Sequence, residues 1–280
     1  MNKQELVQSQ KKFSVAIQTD TYKNLINNTL GDKDKAQRFI AAISSAVAVN
    51  PTLQECEAGT ILSGALLGES LNLSPSPQLG FYYLVPFNDS KKGYKVAQFQ
   101  LGYKGYIQLA IRSGYYKKLN VMAIKKGELV KFDELNEEIE VNLIQDEEQR
   151  ENAETIGYYA MFEYVSGFRK AIYWSKAKME RHALRYSQGY KGDKAKGTAY
   201  TFWSKDFDGM AYKTMLRQLI SKWGIMSTDM QNAYEKDQAV IQTNGNFEYV
   251  DNEEEPIEPE EPTSKTESST GSTQVDINSL

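Results

Sequence analysis

A change of hydrophobic period near Phe81 constrains this chain most. Before it, apolar residues recur at helical spacing; after it, they gather in short runs rich in Tyr, Phe and Val. Upstream, Tyr22 to Asn28 and Lys33 to Val49 read as helices. A third helical segment opens at Asn50-Pro51, an N-cap residue followed by proline where a first helical turn tolerates it, and runs through Leu62, Ala65, Leu66 and Leu67 to about Leu71. Downstream, Phe81 to Phe87 and Tyr94 to Leu101 flank the polar link Asn88 to Gly93 and read as a β-hairpin. A helix from about Tyr103 to Ser113 and a strand at Leu119 to Ile124 follow. Thr155 to Tyr164 and Phe168 to Trp174 then form a second hairpin about Val165-Ser166-Gly167. The chain returns to helix at Ser175 to Ser187, passes a Gly/Lys loop from Gln188 to Thr198, and ends its folded part with helices at Phe207 to Trp223 and Thr228 to Ala239. The expectation is an α+β fold: an N-terminal helical lobe and a small antiparallel sheet of hairpins packed against helices.

Charge divides the chain more sharply than its net value of −4 suggests. From Gly245 to Leu280 one basic residue, Lys265, stands against ten acids, which leaves 32 basic and 27 acidic residues in Met1 to Asn244. The stretch 245–280, with Glu253-Glu254-Glu255-Pro256 and a Ser/Thr-rich finish, has too little apolar surface to offset the entropy of ordering it. It is expected to be a disordered acidic tail on a core spanning 1–244. Such a tail is either inert or a decoy or docking peptide that competes for a basic surface.

Several chemistries have no residues to run on. Cys56 is the single cysteine and His182 the single histidine, so neither an internal disulfide nor a Cys/His zinc site can form. Gly192 to Thr198 superficially resembles a phosphate-binding loop but lacks the lysine before its threonine. No G-x-S-x-G elbow occurs, and Arg181 and Arg185 flank His182 and oppose its protonation. The acids of Glu134 to Glu154 read as a polar connector. A nuclease built on Glu163 would need paired carboxylates and a lysine at a spacing that is not seen. No cofactor is expected. The first residues, Met1 to Glu5, lack an export signal, and no apolar run is long enough to span a membrane, which points to the cytoplasm.

The positive signal is cationic. On the helix after the first hairpin, Lys104, Gln108 and Arg112 recur every four residues, while Tyr103, Tyr106, Ile107 and Ala110 share a packing face. Gly102 and Gly105 weaken that helix start, a cost that close approach of a ligand backbone would explain. On the helix from Asp206, Lys213 and Arg217 stand one turn apart. Like charges so placed repel by roughly 0.2–0.5 kcal/mol unless an anion lies over them. Lys222 lies on another side of the same helix, and Asp206 and Asp208 suit its N-terminal dipole. Between these helices, Arg181, Arg185, Tyr186, Tyr190, Lys191, Lys194, Lys196, Tyr200, Phe202, Trp203 and Lys205 alternate cations with flat rings, a mixture that suits single-stranded nucleic acid. The candidate DNA contacts are Lys104, Arg112, Lys191, Lys194, Lys196, Lys213, Arg217 and Lys222, with Gln100, Gln108, Tyr103 and Trp203 as positioning or stacking groups.

At these same places the sequence resembles the RecT family of phage and prophage single-strand annealing proteins. The likeness runs from about Asn50 to Thr228. It is carried by Phe99 to Tyr106 (FQLGYKGY) with Arg112-Ser113-Gly114, by Gly157-Tyr158-Tyr159-Ala160, and by Phe207 to Thr214 (FDGMAYKT), where Gly209 replaces an acid common in the family. The resemblance implies a protein of the bacterial host's cytoplasm that binds single-stranded DNA and an annealed duplex intermediate. It implies a homo-oligomer, ring or helical filament, that hydrolyses no nucleotide and works beside a phage exonuclease and, in some members, the host single-strand-binding protein.

Overall fold

The longest apolar stripe of the C-terminal half builds the helix around which the rest packs. The computed structural model describes residues 12–136 and 138–249, and in it Phe207–Trp223 is a continuous helix, α10. Asp206 caps it by accepting a hydrogen bond from the Gly209 amide (2.9 Å). Its buried residues Ala211, Met215, Leu216, Leu219 and Ile220 recur at helical spacing, and each large one stabilises the fold by about 1.5–3 kcal/mol when fully covered.

In chain order the elements before α10 are α1 (Phe13–Ala16), α2 (Asp20–Leu30), α3 (Lys33–Val49), a 3₁₀ turn (Pro51–Glu55), α4 (Ala58–Ser70), β1 (Tyr82–Asp89), β2 (Tyr94–Leu101), α5 (Tyr103–Arg112), β3 (Tyr116–Lys125), β4 (Leu129–Asp133), β5 (Glu138–Val141), α6 (Glu147–Asn152), β6 (Thr155–Tyr164), β7 (Arg169–Ser175), α7 (Lys176–Tyr186), α8 (Gln188–Lys196) and α9 (Phe202–Lys205). After α10 come α11 (Thr228–Lys236), β8 (Ala239–Ile241) and β9 (Phe247–Glu248). Every strand pairing is antiparallel. One sheet has the order β1-β2-β8-β9, a second β3-β6-β7, and β4-β5 is a separate ribbon. Pro86, which cannot donate to a ladder, sits in the edge strand β1. A continuous buried cluster joins the two larger sheets: α4 packs on the first, α10 on the second, and α5, which follows β2 and packs on β3 and α10, adds Tyr106 and Leu109 to it.

The expected α+β architecture with N-terminal helices and antiparallel hairpins is present, with four local corrections. The helix opened by Pro51 breaks at Cys56-Glu57, because the Glu57 amide donates to the Lys95 carbonyl (2.8 Å) and ties the chain to β2 before α4 begins. The Gly/Lys loop is mostly the helix α8, capped by Ser187 and ended by Gly197 in the left-handed conformation (φ 68°). The acidic stretch 134–154 holds β5 and α6; Arg150 of α6 reaches back to the fully buried Glu128 (2.6 Å). The last helix stops at Lys236, and Ala239–Ile241 leaves it to extend the first sheet. The strand β9 lies beyond the expected core limit at Asn244; the acidic tail from Val250 onward is outside the described residues.

Candidate nucleic-acid interface

The two glycines that open α5 answer to the protein's own backbone. A Cβ on Gly102 would sit 2.2 Å from the Gly80 carbonyl oxygen, and one on Gly105 2.1 Å from that of Phe81. The close approach that their sequence suggested is therefore internal, between α5 and the start of β1. Lys104 is exposed, with its stem beside Gly80 and the Tyr83 hydroxyl. Tyr103 packs edge-on to Tyr212 (5.6 Å between ring centres). Gln108 is half-buried. Arg112 is exposed, but its guanidinium donates to the Leu71 carbonyl (2.9 Å) at the end of α4. Gln100 is half-buried and donates to the Gln98 side chain (2.8 Å).

The Lys213/Arg217 pair is the largest departure from expectation. Lys213 is only 5% exposed, and its ammonium lies 3.0 Å from one oxygen of Asp237, while the Arg217 guanidinium lies 2.5 Å from the other. Asp237 is itself fully buried and also accepts from the Leu101 amide (2.9 Å) and the Tyr106 hydroxyl (3.1 Å). Two like charges one turn apart did require an anion; the chain supplies it from the end of α11. Burial pulls Lys213 below the ordinary lysine range, with Asp237 opposing, and pushes the Tyr106 hydroxyl well up. Arg217, its outer face over the Tyr234 ring (4.3 Å), is largely occupied by the same knot. These two residues hold α5, α10 and α11 together and are withdrawn as surface DNA contacts.

Trp203, expected as a stacking group, is likewise turned inward. It is 8% exposed and packs against Phe207 (5.2 Å) and Tyr190 (6.0 Å). Its neighbour Phe202, 41% exposed, instead meets Tyr83 (5.5 Å).

The cations of α7 and α8 do face solvent. Lys176, Lys178, Arg181 and Arg185 on α7 and Lys191, Lys194 and Lys196 on α8 are all exposed. Lys194 pairs with Glu180 (3.0 Å) and Lys178 lies 3.8 Å from Glu134. The acid within the lysine run, Asp193, is turned inward. It accepts from Thr198 (2.6 Å), Ser204 (2.6 Å) and the Thr201 hydroxyl (2.8 Å) and amide (2.9 Å), and these bonds hold its carboxyl well below the usual range against the opposing effect of burial. Its charge is thus spent on tying α8 to α9, so that of the described acids near these cations Glu180 and Glu134 are the ones paired with surface lysines. Arg181 and Arg185 stand in the cationic stretch of the sequence but not among its candidate contacts, and Lys178 is not singled out there, although their spacing along one helix is the available signal. Lys222 is exposed at the far end of α10, over Trp223 (5.0 Å).

Two carboxylates nearest a nuclease reading are engaged. Glu163 pairs with Lys117 (2.7 Å) and Lys118 (3.6 Å), which lower its pKa, and Asp208 accepts from Tyr158 (2.6 Å). Among the described residues no three His, Cys, Asp or Glu side chains group as metal ligands, and no helix is long and apolar enough to cross a membrane.

The family model that describes the RecT family matches residues 37–258, well over half of the chain. The chain belongs to the RecT family. It is 38% identical over 238 residues to a Bacillus subtilis relative named uncharacterized protein YqaK, covering 82% of this chain and 77% of that one. It is 26% identical over 231 residues to protein RecT of Escherichia coli K12, covering 79% of this chain and 81% of the other. Membership makes this a DNA-binding recombination protein of the strand-annealing class. The RecT-like motifs land mainly on scaffold: Gly102 and Gly105 admit the Gly80-Phe81 backbone, Tyr106 and Lys213 bind Asp237, and Gly157 leaves room for the Tyr173 ring.

Proposed function

We propose that this protein binds single-stranded DNA on the cationic surface of α7 and α8, extended toward Lys104, and anneals complementary strands without ATP or any hydrolytic step. The observation that carries this reading is the exposure of seven cations on two consecutive helices, with two acids among them: Asp193, which is folded inward, and Glu180, which pairs with Lys194. Two complementary strands repel along their whole backbones. A surface that neutralises phosphates and leaves base edges free lowers the cost of encounter, and pairing then supplies the free energy. Lys104, Arg112, Lys191, Lys194, Lys196 and Lys222 are the phosphate contacts in this scheme; Gln100, Gln108 and Tyr103 border them. The missing P-loop lysine supports nucleotide independence. Assembly into rings or filaments, cooperation with an exonuclease and a cytoplasmic setting follow from the family resemblance.

The test mixes complementary oligonucleotides, one fluorescent and one quenched, with protein and EDTA and without ATP. Quenching faster than in buffer supports annealing. Slower pairing would mean a passive coat, and unchanged pairing would refute the proposal.

A further inference from the structure

Three aromatic rings run in a tilted file along one side of α7, with 60° and 46° between successive planes, and the outermost is open to solvent. Trp174, just before the helix, lies 5.3 Å from His182, and His182 lies 4.6 Å from Tyr186. Lys178, His182 and Tyr186 are spaced by four residues, so helix geometry alone puts them in file. The Lys178 ammonium caps the inner end over Trp174 (5.0 Å), and the Arg185 guanidinium lies 5.3 Å from the centre of the Tyr186 ring. Tyr186 is 67% exposed. A large ring left this open, with His182 on its inner side and the Arg185 guanidinium over it, offers aromatic surface beside positive charge.

We propose that the Tyr186 end of this file is a stacking site for one unpaired nucleobase of a DNA strand, with Arg181, Arg185 and Lys191 taking the adjoining phosphates. The ligand must offer a flat, uncharged π-system attached to closely spaced anions, which describes a single-stranded polynucleotide. A base in a duplex has its faces covered by its neighbours, so the site favours unpaired strand. Stacking uses the face of the base and leaves its pairing edge free, as annealing requires. Ring faces carry no donor and acceptor code, so the site tolerates any sequence. The proposal rests on the DNA-binding reading above and adds a base-dependent contribution to its phosphate contacts.

The experiment compares binding of a short single-stranded oligonucleotide with that of an abasic strand of equal length, for the intact protein, Tyr186→Ala and Tyr186→Phe. Tyr186→Ala should weaken binding of the normal strand by roughly 5- to 100-fold, as loss of one base–aromatic stack does, and leave the abasic strand unaffected. Tyr186→Phe should bind both as the unaltered protein does. Equal loss on both strands, or no loss on either, overturns the stacking site while leaving the phosphate surface standing. If the unaltered protein binds neither strand, the DNA-binding reading falls first and the stacking site with it.

Discussion

The α10 pair Lys213/Arg217 and the α7 pair Arg181/Arg185 have the same spacing and opposite fates. Both place two cations one helical turn apart, and both lie among aromatic residues. On α10 the counter-charge is Asp237, brought from 24 and 20 residues downstream into a fully buried position. On α7 the two arginines remain exposed, and no acid stands between them in the chain. Unfavourable spacing of like charges therefore reports that an anion is needed. Whether that anion is a carboxylate of the fold or a phosphate of a ligand depends on a contact distant in sequence.

The comparison breaks most visibly at Asp237. Asp237→Ala leaves Lys213 buried without its partner and should cost about 3–5 kcal/mol, read from urea denaturation. A variant as stable as the parent would mean that Lys213 reaches solvent after all. Next in size is Asp193→Asn, which should cost about 1–3 kcal/mol near neutral pH by weakening the bonds that close α8 onto α9. The pKa of Asp193 is held below its ordinary 3.8 in the folded state, so its charge stabilises fully above that value and the contribution is lost as pH falls through it toward the folded pKa. The gap between variant and parent should hence narrow at pH 3; a constant gap would contradict the assignment. Gly105→Ala sharpens the contrast between internal and external partners. A methyl directed at the Phe81 carbonyl oxygen should lower stability by about 1–3 kcal/mol. Loss of DNA affinity at unchanged stability would instead restore the ligand-approach explanation.

Local signals read well where a cap and an apolar stripe coincided. The Asp206 cap with the arc Tyr212, Leu216, Leu219, Ile220 and Trp223 marks α10, although Trp223 is exposed and Tyr212 half-buried, and the Tyr- and Phe-rich hairpins mark β1, β2, β6 and β7. What stayed hidden has physical reasons. The strand β8 is three residues long and forms because β2 offers it an edge. The strand β5 carries Glu138 and Glu140, which mimic a solvated link. Gly189 and Gly192 disguised α8, whose stability comes from the Ser187 cap and the Asp193 bonds. The cationic surface was legible as a composition, but not which cations and rings face outward: Trp203 and Lys213 go inside, whereas Phe202, Arg181 and Arg185 go outside.

The most direct test of the account is the salt dependence of single-strand binding in two variants whose folding is checked by circular dichroism. One carries Arg181→Ala, Arg185→Ala, Lys191→Ala and Lys196→Ala; the other carries Lys213→Met alone. The fourfold variant should bind more weakly, with the slope of log affinity against log salt reduced by roughly 0.7 for each phosphate it no longer neutralises, and Lys213→Met should keep the parent slope. A flattened slope in Lys213→Met with an unchanged one in the fourfold variant would place the DNA on α10 and contradict the account.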